Sequence, residues 1–164
     1  RTGLPEQFDS WAEYQRHVEV LVGAGLIDDA SKMWWDVRPS AKYPTLEMRV
    51  CDLATRWEDA IAIASLCRCL LHMLFHLRTK NQRWRRYANM LVSENMWRAQ
   101  RYGVTGSLLD DGTGELGPLG DLGGELVELT RPDARALGCA TEVSPPRFLS
   151  MHPRDERTFP STNT

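Results

Sequence analysis

Cysteine is scarce in this sequence of 164 residues, which contains only four, and no two of them form the C-x-x-C pair typical of a zinc site. A chain of this size with so few cysteines is not a disulfide scaffold, so we expect reduced thiols and a cytoplasmic protein. An excess of charge of one sign is also lacking, because the formal net charge is only -2. That balance argues against a dedicated nucleic-acid-binding protein, which usually carries a strongly basic domain.

The composition is that of a globular protein, since hydrophobic residues make up 42% of the chain and charged residues 26%. Residues 1–143 show the periodicities of helices and strands, and we expect them to form one domain of the α+β class. Residues 144–164 are rich in Pro, Arg, Ser and Thr without a visible period, which predicts a poorly ordered tail. The sequence begins with Arg rather than Met, so we expect a fragment or one domain of a longer chain.

Helices are predicted by capping residues and by hydrophobic periodicity. Ser10 with Glu13, and Thr55 with Glu58, have the spacing of a capping box. The predicted helices cover about residues 10–22, 57–77 and 82–102. The second helix is apolar on most sides, but Arg68 in its middle would be costly to bury in lipid. We therefore expect a buried core helix with one polar edge, and no membrane partner.

Two histidines on that polar edge, His72 and His76, stand four residues apart, a spacing that can bind a metal ion. No third ligand is evident in the sequence, so we favour a structural role for them. Further along, residues 106–124 are rich in Gly and Asp and predict a long loop. Residues 124–130 predict a helix or strand, and residues 131–138 a short helix.

A charged sheet face is predicted between two of these helices. Residues 33–38 and 45–51 read as strands joined by a turn too short for a parallel crossover, so we expect an antiparallel pair. Because side chains alternate along a strand, the pair could bring four charged residues to one surface: Asp36, Arg38, Glu47 and Arg49. A carboxylate there could hold Mg²⁺, and an arginine could bind a carboxylate or phosphate. Alternation alone favours the alternative, an amphipathic hairpin with its charged side in water.

The residues around this face resemble a known family. The segment at 34–52, W-W-D-V-R-P-S-A-K-Y-P-T-L-E-M-R-V-C-D, is similar to the signature of the bacterial carboxylate–amine ligases, also called glutamate–cysteine ligase type 2. The segment at 94–103, E-N-M-W-R-A-Q-R-Y-G, resembles a second motif of that family. The likeness runs from residue 1 to about residue 138. It implies a distantly glutamine synthetase-like fold, in which a curved, mainly antiparallel sheet packed against long helices forms a catalytic funnel.

The resemblance also implies roles for individual residues. ATP would activate a carboxylate as an acyl phosphate, and an amine would then displace the phosphate. Glu47 would be a ligand of Mg²⁺, Arg49 would contact phosphate, and Arg38 would help to bind substrate or phosphate. Four further side chains would contribute to substrate binding: Asp36, Asn95, Arg98 and Arg101.

The resemblance is to the C-terminal portion of that family only. Family members are longer, and their N-terminal part carries further metal-binding glutamates that have no counterpart here. We therefore expect a partial active site that binds ATP and amino acids, with little activity in isolation, and a homo-oligomer or a complementing chain as partner. The alternative is a truncated, non-catalytic homologue that acts as a helical interaction module.

Overall fold

The structure, a computed structural model, describes residues 2–144. Apart from Ser144, the predicted tail at residues 144–164 lies outside the described residues. The chain divides into two compact units, Arg1–Asp52 and Leu53–Thr164. Each unit has a small hydrophobic core of its own.

The first unit combines one helix with four very short strands. In chain order its elements are β1 (Thr2–Gly3), α1 (Trp11–Gly23), a 3₁₀ turn (Ala30–Lys32), β2 (Trp34–Trp35), β3 (Val37–Pro39) and β4 (Leu46–Met48). Strand β1 pairs with β2 in parallel, and β3 pairs with β4 antiparallel. The core is formed by Tyr14, Ile27, Met33 and Trp35.

The start of α1 follows from its capping residues as the sequence predicts. Ser10 Oγ accepts a hydrogen bond from the backbone N–H of Glu13 at 3.1 Å, which satisfies one of the free amides of the first turn. The Glu13 carboxylate reaches back to the backbone N–H of Asp9 at 2.8 Å. Tyr14 then lies inward, and its ring meets that of Phe8 edge-on at 5.6 Å.

The second unit is mainly helical. Its elements are α2 (Trp57–Thr79), α3 (Asn89–Tyr102), a 3₁₀ turn (Gly103–Thr105), β5 (Ser107–Leu109), β6 (Leu116–Pro118) and α4 (Leu119–Ala136). Strands β5 and β6 form an antiparallel hairpin that contacts α3 and α4. The described residues thus have the predicted α+β character, with three two-stranded sheets rather than one continuous sheet.

Helix α2 differs from its prediction at its start and in its burial. Its N-cap is Arg56, which makes no side-chain capping bond, so the predicted Thr55 capping box is wrong. One face of α2 packs on α4, where Cys69 meets Val127 and Ala134. Only 17% of its most apolar stretch is buried, so the expected buried core helix is wrong in extent. By length and composition alone α2 could span a membrane, but core helices of globular proteins can have the same length and composition.

Helix α3 begins at Asn89 rather than near residue 82. Asn81 follows the C-cap of α2 and has a left-handed backbone with φ of 56°. This conformation cannot continue a right-handed helix, and Asn adopts it more readily than most other residues. The basic run that follows is irregular. Arginines three residues apart, such as Arg83 and Arg86, would repel each other in a helix, so this run adds little helix stability.

The predicted glycine-rich loop is a hairpin followed directly by a helix. In the turn between β5 and β6, the Asp110 carboxylate accepts bonds from the Gly112 N–H at 2.7 Å and the Thr113 hydroxyl at 3.1 Å. The Gly112 bond, with help from Thr113, lowers the pKa of Asp110. Helix α4 then continues through Pro132, so the two separate elements predicted there are wrong. Burial of Thr130 and Ala134 on either side of the proline favours one continuous helix.

Candidate active site

The β3–β4 hairpin brings the predicted charged residues to one face. Its register pairs Val37 with Met48 and Arg38 with Glu47, which confirms the antiparallel arrangement. The backbone N–H of Arg49 donates to the carbonyl of Asp36 at 2.6 Å, so the same register continues one residue further. Ion-pair contacts place Arg38, Glu47 and Arg49 on one surface, and strand alternation predicts the same face for Asp36.

Arg38 is the most buried of the four, with 8% of its surface exposed. Its Nε donates to Glu47 Oε2 at 2.7 Å. Its Nη1 donates to the carbonyl oxygens of Ser31 and Met33, at 2.5 and 3.0 Å. Because these donors are engaged within the protein, Arg38 is placed to hold the hairpin and the Glu47 carboxylate.

Glu47 and Arg49 are more accessible. Their side chains are 35% and 42% exposed, and Arg49 Nη1 lies 3.9 Å from Glu47 Oε2. The Glu47 carboxylate therefore lies beside two guanidinium groups, one buried and one facing solvent. Of the two arginines, Arg49 is the more exposed, and guanidinium donors suit phosphate oxygens.

The exposure of the hairpin differs from that of an amphipathic hairpin with an apolar face buried and a charged face in water. On the opposite face of β4, Leu46, Met48 and Val50 are 48%, 41% and 47% exposed. On the charged face, Arg49 is similarly exposed at 42%, and Arg38 is almost fully enclosed. A fully solvated charged face therefore does not explain the position of Arg38, because a charged side chain is seldom buried without a partner.

The three predicted residues of α3 belong to the second unit and make different contacts. Asn95 exchanges two hydrogen bonds with the backbone of Leu109, donating to its carbonyl at 2.8 Å and accepting from its N–H at 2.7 Å. Arg98 Nε donates to the Ser107 carbonyl at 2.7 Å. Both side chains therefore attach strand β5 to α3. Arg101 is exposed.

Two further polar contacts in the second unit join residues far apart in sequence. His72 Nδ1 lies 2.6 Å from Asp133 Oδ1 on α4, which agrees with the structural role predicted for this histidine. Cys69 Sγ lies 3.6 Å from Cys139 Sγ, and burial together with this contact raises the pKa of Cys69 to about 12. A thiol with that pKa stays protonated at neutral pH and is a poor nucleophile. The sequence gives no signal for these pairs, because their members lie 61 and 70 residues apart.

Comparison with known proteins decides the family. Residues 1–152 match the glutamate–cysteine ligase family 2. A relative from Rhodospirillum rubrum, named "Putative glutamate--cysteine ligase 2", is 61% identical over 143 residues, which are 87% of this chain and 37% of that protein. A relative of the same name from Jannaschia sp. (strain CCS1) is 52% identical over 157 residues, or 96% of this chain and 42% of that protein. The chain belongs to glutamate–cysteine ligase family 2.

Membership in glutamate–cysteine ligase family 2 confirms the resemblance carried by the β3–β4 segment. The chain spans about two fifths of the length of the curated relatives it matches. The glutamine synthetase-like relation and the individual residue roles stay predictions.

The residues on the hairpin fit a Mg²⁺ ion that is bound mainly by nucleotide phosphates. Residues 2–144 contain no group of three or more His, Cys, Asp or Glu that could hold a metal ion. Mg²⁺, however, is commonly held by one or two carboxylates together with substrate phosphates. Glu47 supplies a partly exposed carboxylate, and Asp36 Oδ2 is a buried oxygen without a hydrogen-bond partner in the described part of the chain.

Asn95→Ala should destabilise the second unit by about 1–2 kcal/mol, because both backbone groups of Leu109 lose their partner at a partly buried position. Urea denaturation of this variant beside Ser93→Ala, at an exposed position of the same helix, measures the difference. Equal stability of the two variants would show that Leu109 finds other partners.

Proposed function

We propose that this chain forms part of the active site of an ATP-dependent carboxylate–amine ligase of the glutamate–cysteine type. The proposal is supported by its family and by the names of its relatives. The observation that carries it is the Glu47 carboxylate, fixed by buried Arg38 and flanked by the more exposed Arg49, on the segment that resembles the family signature.

The reaction has two steps. A substrate carboxylate oxygen attacks the γ-phosphorus of ATP, and ADP leaves with the bridging oxygen. The amine nitrogen then attacks the acyl carbon of the resulting acyl phosphate, inorganic phosphate departs, and the nitrogen loses a proton. Both steps depend on positioning and on neutralising the negative charge of the phosphoryl group.

The hairpin residues divide these tasks. Glu47, with Asp36 beside it on the same face, would hold Mg²⁺, which neutralises charge on the nucleotide phosphates when bound. Arg49 would contact the transferred phosphoryl group through its exposed guanidinium. Arg38 would act through Glu47 as a positioning residue, because its side chain donates to Glu47 and to two backbone carbonyls.

The rest of the funnel would come from the part of a full-length family member that lies outside this chain. Strands β3 and β4 would then be one wall of a larger, glutamine synthetase-like sheet. Asn95 and Arg98 would support the substrate side by fixing the β5–β6 hairpin, and exposed Arg101 would contact substrate directly.

A chimera tests this proposal. The 143 matched residues of the Rhodospirillum rubrum relative would be replaced by those of this chain, and ADP release would be followed with Mg²⁺-ATP, glutamate and cysteine. We expect turnover by the chimera and little by this chain alone. The unmodified relative is the positive control; an inactive chimera with native helix content and an active control would refute the proposal.

The bare apolar surfaces favour a second candidate function, a helical interaction module. The side chains of Leu71, Leu74 and Phe75 of α2 are 40%, 42% and 65% exposed. The apolar residues of β4 are also exposed, and exposed apolar surface is typical of protein–protein contact sites. A module without a nucleotide site would self-associate in sedimentation experiments, and Mg²⁺-ATP would not raise the melting temperature of the chimera. A retained ligase site would be stabilised by the nucleotide.

A further inference from the structure

A cavity of about 350 Å³ lies between the C-terminal half of α2 and the end of α4. Its polar lining consists of His72, His76, Lys80 and Asp133. The cavity belongs wholly to the second unit and shares no residue with the charged face of the β3–β4 hairpin.

The hydrogen bond of His72 fixes the state of its ring. Its Nδ1 lies 2.6 Å from Asp133 Oδ1, and an ionised carboxylate can only accept, so Nδ1 carries the proton and donates. In the neutral imidazole, Nε2 of His72 is therefore an acceptor. It accepts a hydrogen bond from Nε2–H of His76 at 3.2 Å. A metal ion could replace this bond if the proton of His76 moved to its Nδ1.

This separation is that of two ligands on one metal ion. Two imidazole nitrogens bound to Zn²⁺ at about 2.0–2.1 Å with a tetrahedral angle stand about 3.3 Å apart. Histidines four residues apart on one helix face provide such a pair. A carboxylate that accepts from the remote ring nitrogen of a metal-binding histidine is the usual outer partner, and Asp133 occupies that position.

The chemistry of the donors selects the class of ion. Imidazole nitrogens suit Zn²⁺, Ni²⁺ and Cu²⁺ rather than Mg²⁺ or Ca²⁺. Within residues 2–144 no third residue completes the set, so water would fill the remaining positions. The cavity has room for such waters, and His76 is exposed, which gives an ion access from solvent.

We propose that the cavity between α2 and α4 binds one divalent late transition-metal ion through Nε2 of His72 and Nε2 of His76, with Asp133 orienting His72. The ion would hold the second turn from the end of α2 and, through Asp133, connect it to α4. The site is independent of the proposed ligase reaction.

Isothermal titration of the full 164-residue chain with NiCl₂ tests this, using protein without an affinity tag that has been treated with chelator and kept reduced. We expect one equivalent of Ni²⁺ to bind. Asp133→Asn should weaken binding by about 10–100-fold, as loss of an outer partner does, and His76→Ala by at least as much. His17→Ala, which removes a histidine of the first unit, should leave the affinity unchanged.

Three results would overturn the proposal. One is unchanged Ni²⁺ affinity in His76→Ala with native circular dichroism. Another is an absence of binding by the unaltered chain at millimolar Ni²⁺. The third is intense near-ultraviolet thiolate-to-metal absorption with Co²⁺, which would place the ion on Cys69 and Cys139 instead.

Discussion

Glu47→Gln in the Rhodospirillum rubrum chimera should lower kcat by about 100-fold or more, the scale of losing one preorganised electrostatic partner in an active site. Glutamine keeps the size of the side chain and one acceptor oxygen. It removes the negative charge that would hold Mg²⁺ and that pairs with Arg38 at 2.7 Å and Arg49 at 3.9 Å. ADP release measured against Mg²⁺ concentration should show both the lower kcat and a higher Mg²⁺ requirement.

The Mg²⁺ requirement separates a metal ligand from a residue that only supports the hairpin. Glu47→Asp, which keeps the charge on a shorter stem, should recover part of the activity at high Mg²⁺. Glu115→Gln is the matched control, because Glu115 is exposed at the turn of the other hairpin and should have no effect. A Glu47→Gln chimera with unchanged kcat and Mg²⁺ dependence would exclude Glu47 as the ligand.

The β3–β4 hairpin could be predicted because its signals are local. Alternation and a short link suffice to pair the strands and to place Glu47 and Arg49 on one face. The likeness to a known family came from the same short segment, and it identified the family correctly. Alternation could not show which of these side chains is buried, since burial depends on residues elsewhere in the fold.

The elements that were predicted wrongly depend on contacts between distant residues. Helix α4 runs through Pro132 because burial against α2 outweighs the local preference of proline. In the glycine-rich segment β5 pairs with β6, and Asn95, fourteen residues before Leu109, bonds both backbone groups of Leu109 and attaches this hairpin to α3. Composition predicts a loop there, since it does not show such partners.

The charged face of the β3–β4 hairpin and the cavity between α2 and α4 therefore differ in how far the sequence predicts them. The hairpin residues lie close together in sequence, so a pattern can report them. The His72–Asp133 pair spans 61 residues, and only the packing of α2 on α4 creates it. From the sequence, a structural role is predicted for His72 and His76 without a partner; the structure adds the contact of His72 with Asp133, and the separation of the two Nε2 atoms adds the metal hypothesis.

Arg38→Met should destabilise the first unit by about 2–4 kcal/mol, because it leaves buried polar groups without a donor. Methionine keeps the apolar stem of the side chain. The carbonyls of Ser31 and Met33 lose their guanidinium partner, and water has little access to a position that is 8% exposed. Glu47 also loses its closer cation, although its partial exposure lets solvent compensate.

Hydrogen exchange followed by mass spectrometry can locate this effect, since peptides from α1 and β2 report opening of the first unit and those from α4 serve as an internal reference. Arg49→Met is the matched control: it removes the same group from the same face, but from a side chain that is 42% exposed and 3.9 Å from Glu47, so we expect about 0–1 kcal/mol. If both variants opened the first unit equally, burial of Arg38 would not be what stabilises it. A larger effect at Arg38 alone would show that this arginine stabilises the hairpin that carries Glu47 and Arg49.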